Sequence, residues 1–182
     1  MGSAYAALLF LAVTLWLGPW NILRKYANPV SFDLRRDFGI WSAILALLHT
    51  AVGLTVHLRG RMWMYFLKDL HPLAIQNNKF GAANFTGLAS ALLFLLLLAI
   101  SNDLSLRRLG ALRWKSLQRW TYAAAILAVA HGILFQLVEK RHLPWVLLFA
   151  AITAIATGMQ ALGLRRSLSR RSAVQRSKNL AL

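Results

Sequence analysis

Residues 80–102 read FGAANFTGLASALLFLLLLAISN, twenty-three positions without Asp, Glu, Lys or Arg. A helix rises about 1.5 Å per residue and needs about 20 residues to cross a hydrocarbon core of about 30 Å. The run is therefore long enough to span a bilayer. Its Leu and Ala content, without period-two alternation, favours a helix over a barrel strand. Four more charge-free runs flank it: Met1 to Leu23, Phe38 to Leu58, Trp120 to Val138 and His142 to Leu164. The expected fold is an all-α, polytopic transmembrane bundle of five spanning helices.

Composition agrees. Of 182 residues, 58% are hydrophobic and 14% charged, against about 45–50% and about 25% in a soluble domain. A disordered chain and an ordinary cytosolic enzyme are excluded. The absence of cysteine excludes disulfides, iron–sulfur clusters and thiol chemistry. The expected division is a membrane domain over 1–164 and a basic tail over 165–182, with no space for a separate soluble catalytic domain. The net charge of +16 would fit nucleic acid, but the basic residues stand between apolar runs, so membrane orientation explains them. No nucleic-acid partner is expected.

Fifteen basic residues lie in the first and third connections and the tail: Arg24, Lys25, Arg35 and Arg36; Arg107, Arg108, Arg113, Lys115 and Arg119; and Arg165, Arg166, Arg170, Arg171, Arg176 and Lys178. The opposite side has six: Arg59, Arg61, Lys68, Lys79, Lys140 and Arg141. The positive-inside rule places the N-terminus outside and the C-terminus in the cytoplasm. The first run lacks a basic leader and is followed by Arg24 and Lys25, which reads as an uncleaved anchor rather than a signal peptide. Trp20, Trp41, Trp114 and Trp120 at inner ends, with Trp63 and Trp145 at outer ends, form the aromatic belts. The tail reads as a solvated stop-transfer flank whose other reading is contact with anionic membrane lipid. The segment Met62 to Leu67 lies either in the outer interface or as an ordered loop over the helix ends.

Ionisable residues within a span are costly and point to function. Of five histidines, only His49 and His131 lie well inside runs; His57, His71 and His142 sit at or beyond outer ends, where an interfacial role explains them. His49 follows Arg36 by 13 residues and His131 follows Arg119 by 12, on two spans of the same direction. Both imidazoles should then stand about 18–20 Å from the inner border. Each has small residues at i−7 and i−3, Ser42 and Ala46 before His49 and Ala124 and Ala128 before His131, with Gly53 and Gly132 close by. Two readings stay open on this pattern. The histidines knit closely packed helices in a cofactor-free structural or assembly protein, or they ligate one haem iron from opposite sides. A bare zinc or copper ion fits less well, because no Cys, Asp or Glu joins the pair within the spans.

Three stretches resemble the ferric-reductase-like transmembrane domain family. They are Leu34-Arg35-Arg36-Asp37-Phe38-Gly39 through Leu48-His49, Thr86-Gly87-Leu88 through Ile100-Ser101, and Leu109-Gly110…Trp114…Leu117-Gln118…Tyr122…His131. The resemblance covers roughly Trp20 to Val138. It implies a b-type haem held by His49 and His131 and electron transfer in the membrane. Where the family has a further histidine this chain has Gln118, and 14 residues before His49 stands Arg35, so one haem is expected. The resemblance implies an oxidoreductase electron-transfer component in a bacterial inner membrane. Quinol, or a separate reductase with its flavin, would supply electrons. The acceptor would be a periplasmic or outer-face redox protein, a methionine sulfoxide reductase being the one suggested. Arg35 and Arg36 are border charges, or partners for a haem propionate, a lipid phosphate or a donor flavin.

Overall fold

The computed structural model describes residues 2–24, 31–70 and 72–180; Lys25 and His71, named above, lie outside them. Six helices form: α1 Gly2–Leu23, α2 Ser31–Val56, α3 Lys79–Ile100, α4 Asp103–Gln118, α5 Thr121–Glu139 and α6 Leu143–Leu180. Five stretches are long and apolar enough to cross a membrane: Gly2–Leu23, Asp33–Gly60, Lys79–Ile100, Asp103–Glu139 and Leu143–Ala173. They contain the five charge-free runs apart from a residue or two at their ends.

Local chemistry sets several of the helix ends. Asn78 caps α3 by accepting the Gly81 amide, and Asn102 caps α4 by accepting that of Ser105. α5 ends on Lys140 in the left-handed conformation, φ 45°. α4 is a short basic helix broken at Gly110, whose φ of 74° is open to glycine and strained for other residues. It is fastened to α3 by Trp114 Nε1 donating to the Ile100 carbonyl and Gln118 Nε2 donating to Ser101 Oγ. Arg36 of α2 pairs with Asp103 at 2.8 Å.

α1 packs against α2 and α6, α3 packs against α5, and α2 joins the two groups through α3. The core lies where α1, α2, α3 and α5 meet, with Leu11, Leu15, Ala43, Phe94, Leu97, Ala124 and Ala125 buried together. Small side chains bring the backbones close enough for hydroxyls to bond across helices. Ser42 donates to the Ala7 carbonyl and Ser90 to that of Ala124, each at 3.0 Å. Pro19 inside α1 has no amide to offer Leu15, one turn back. Gln160 of α6 makes up for it, its Nε2 standing 2.5 Å from the Leu15 oxygen.

The second connection is an ordered loop over the helix ends. Two 3-10 turns, His57–Gly60 and Met62–Tyr65, lead into an antiparallel hairpin of β1 Leu67–Leu70 and β2 Leu73–Ile75. This hairpin is the only departure from helix among the regular elements described. Tyr65 is its anchor: its hydroxyl donates to the Gly53 carbonyl at 2.7 Å and its own carbonyl accepts from Asn84. The tail is helical, because α6 runs through Leu164 without a break to Leu180.

Candidate haem site

α2 and α5 carry His49 and His131 to the same level, about three and a half turns from their basic ends. Their rings meet with centroids 6.4 Å apart and planes at 70°. Ala43 and Ala124, both in the buried core, lie six and seven residues earlier, so the pair stands about 9–10 Å further along, on the hairpin side.

His131 is held by three neighbours. Its Nδ1 stands 2.7 Å from the Ala83 carbonyl of α3. A carbonyl only accepts, so Nδ1 carries the proton and Nε2 keeps its lone pair. Gly87, one turn further along α3, lies under the ring, and a β-carbon there would overlap Nδ1 and come within 2.6 Å of Cε1. Phe135, one turn along α5, braces the ring at 4.8 Å between centroids. An imidazole oriented through its other nitrogen by a backbone carbonyl is the usual support of a metal ligand. His49 has no hydrogen bond of this kind among the described residues.

The spacing suits a pair that would hold one metal-centred group between them. An imidazole nitrogen binds a metal at about 2.0–2.1 Å and its ring centroid lies about 1.1 Å behind, so opposed ligands have centroids about 6.3 Å apart. Among the described residues no three of His, Cys, Asp and Glu gather, so the donor set is two imidazoles. Such a set suits a macrocycle that supplies the remaining donors better than a bare ion.

The small residues near the histidines divide into two sets. Ala46 and Ala128 pack against the core beside the pair. Ser42 is spent on α1, and Gly132 lies against Phe149 of α6, where a β-carbon would come within 2.5 Å of Cε2. His57 and His142 are exposed at the hairpin end. Toward the basic end, the space among Gly39, Ala43, Phe94, Ser101, Gln118 and Thr121 is a cavity of about 30 Å³, room for a water or two and far too small for a porphyrin.

No family model and no solved structure matches the chain. Curated relatives do. A protein of Bordetella pertussis is 29% identical over 178 residues, which is 84% of each chain. One of Xanthomonas oryzae pv. oryzae is 32% identical over 170 residues, covering 92% of this chain and 71% of the relative. This chain belongs to the MsrQ family. An Azospira oryzae member is 32% identical over 154 residues, 81% of this chain and 64% of its own length. All three carry the name protein-methionine-sulfoxide reductase heme-binding subunit MsrQ. Within this MsrQ-family chain, sequence reasoning had passed over Ala83, Gly87 and Phe135 as site residues. Gly87 left one trace, the Thr86-Gly87-Leu88 motif. Ala83 acts through its backbone and left none.

Proposed function

We propose that this MsrQ-family chain is the haem-binding, electron-transferring membrane subunit of an oxidoreductase system, a membrane cytochrome b whose haem would be held by His49 and His131. The observation that carries the reading is the 6.4 Å separation of two imidazoles, one with its Nδ1 proton committed to Ala83. The haem would supply one-electron chemistry at iron. The protein's part is ligation by His49 and His131, orientation of His131 by Ala83 and Gly87, and an apolar shell that excludes water. One haem per chain is proposed, because the space at the basic end is small and Gln118 there is engaged with Ser101.

The proposed orientation puts the N-terminus outside and the C-terminus in the cytoplasm, from fifteen basic residues against six. The proposed division is a membrane domain over 1–164 and a cytoplasmic basic tail over 165–182. The haem would then lie in the outer half of a bacterial inner membrane, about 18–20 Å from the inner border by helix rise. That is long for a direct step from a cytoplasmic flavin reductase. Quinol within the bilayer is the more economical donor, and an outer-face acceptor such as a methionine sulfoxide reductase has the shorter exit.

The rival reading is a cofactor-free bundle knitted by its histidines, favoured by the Ser42, Ser90 and Gly132 contacts that small residues already serve. An optical spectrum of the purified protein decides between them. A low-spin b-type spectrum with one haem per chain by pyridine haemochrome is expected. A colourless, folded protein after expression with ample haem would leave only the rival.

A further inference from the structure

Four polar residues lie at the turn from α5 to α6: Glu139, which ends α5, then Lys140, Arg141 and His142. Glu139, Lys140 and His142 are exposed, and Arg141 alone is turned in, its side chain only 16% exposed. The left-handed turn at Lys140 reverses the chain and makes this possible. Arg141 Nη2 donates to Glu139 Oε2 at 2.7 Å, while its Nε is buried without a hydrogen-bond partner. A guanidinium has five N–H donors and stays charged, so one carboxylate leaves most of it unanswered. Burying such a donor unpaired is costly, and a bound anion would remove that cost. Arg141 lies just past the end of α5, whose last residue, Glu139, stands about 12 Å along the helix from His131.

We infer that Arg141 is a carboxylate receptor for the group held between His49 and His131, fixing a haem propionate through the guanidinium face that Glu139 leaves free. The inference rests on the proposed ligation. A planar guanidinium matches a carboxylate through parallel N–H donors, which gives orientation as well as affinity. A bare metal ion has no carboxylate to offer, so the same arginine separates haem from a simple cation at this site. A lipid phosphate at the membrane border shares the anionic chemistry and is the competing source.

The test compares two haems on one protein. The full chain, freed of haem and held in nanodiscs of zwitterionic lipid, is titrated with ferric protohaem and with its dimethyl ester. The wild type should bind the free acid about tenfold or more tightly than the ester, as for a charge-assisted hydrogen bond. Arg141→Gln should lose that preference while keeping a low-spin spectrum with either haem, and Arg141→Lys should keep part of it. The midpoint potential of the Arg141→Gln holoprotein should also fall and gain a dependence on pH, since the propionate is no longer neutralised. An unchanged preference in Arg141→Gln overturns the inference and leaves Arg141 to lipid phosphate or to Glu139 alone. Absence of a low-spin spectrum in the wild type with either haem overturns the ligation itself, and the inference with it. If Arg141→Gln does not insert, Arg141→Lys decides: a preference equal to that of the wild type, with the same potential, overturns the inference.

Discussion

Replacing Gly87 by alanine adds one methyl group, and the geometry says where it goes. The new carbon would stand 2.6 Å from Cε1 and 3.2 Å from Cγ of His131, and would overlap Nδ1. Carbon contacts are comfortable at about 3.5–4.0 Å, so the ring must retreat by about 1 Å. Nδ1 begins 2.7 Å from the Ala83 oxygen, and such a retreat carries it past about 3.5 Å, where the hydrogen bond is lost. Overpacking costs about 1–3 kcal/mol and a lost hydrogen bond about 0.5–1.5. Loss of a support behind a metal ligand lowers metal affinity by about 10–100-fold. Gly87→Ala should therefore insert and fold but bind haem at least about tenfold more weakly, with a shifted low-spin EPR signal. Gly158→Ala is the control, since nothing lies within 4 Å of its added carbon. The measurement is a haem titration of both variants in detergent. Wild-type affinity and an unchanged EPR signal in Gly87→Ala would refute the idea that α3 positions His131.

His49→Ala and His131→Ala should each abolish the low-spin spectrum while inserting normally, whereas His142→Ala should retain it; optical spectra of the three proteins check this. Gln160→Leu strands the Leu15 carbonyl beside Pro19 and should destabilise the fold by about 1–3 kcal/mol. Most of that loss should vanish when Pro19→Ala is added and restores the helix bond, as read from unfolding midpoints. Burial raises the Tyr65 phenol above its ordinary value of 10.0. Its bond to Gly53 then contributes fully below pH 10 and is lost as pH rises through the higher folded value, and Tyr65→Phe should remove that alkaline loss in a pH series of melting temperatures.

The five spans were legible because a bilayer demands unbroken apolar length, and charges such as Arg36, Lys79, Arg119 and Lys140 mark where it ends. α4 was not, since it borders the spans and owes its place to Asn102, Trp114 and Gln118 bonding to the end of α3. The level of the histidines followed from counting along two helices, and their rings do meet. Which small residues face them did not follow. Periodicity gives a face without saying which neighbour occupies it, so Ser42 and Gly132, two of the small residues noted around the histidines, serve α1 and α6 instead. Arg141 illustrates the same limit: among four consecutive polar residues, only the turn at Lys140 singles it out.

The unequal support of the two imidazoles bears on how the molecule is assembled. His131 is already set by Ala83 and Gly87 within the paired α3 and α5, whereas His49 rides on α2, which packs mainly with α1. The bundle thus consists of two halves, each owning one jaw of a clamp, and only one jaw is set in advance. A group gripped by both jaws acts as a rivet between the halves, and by mass action its binding adds to their cohesion. Without the rivet, the joint between α2 and α3 is where the bundle should open first.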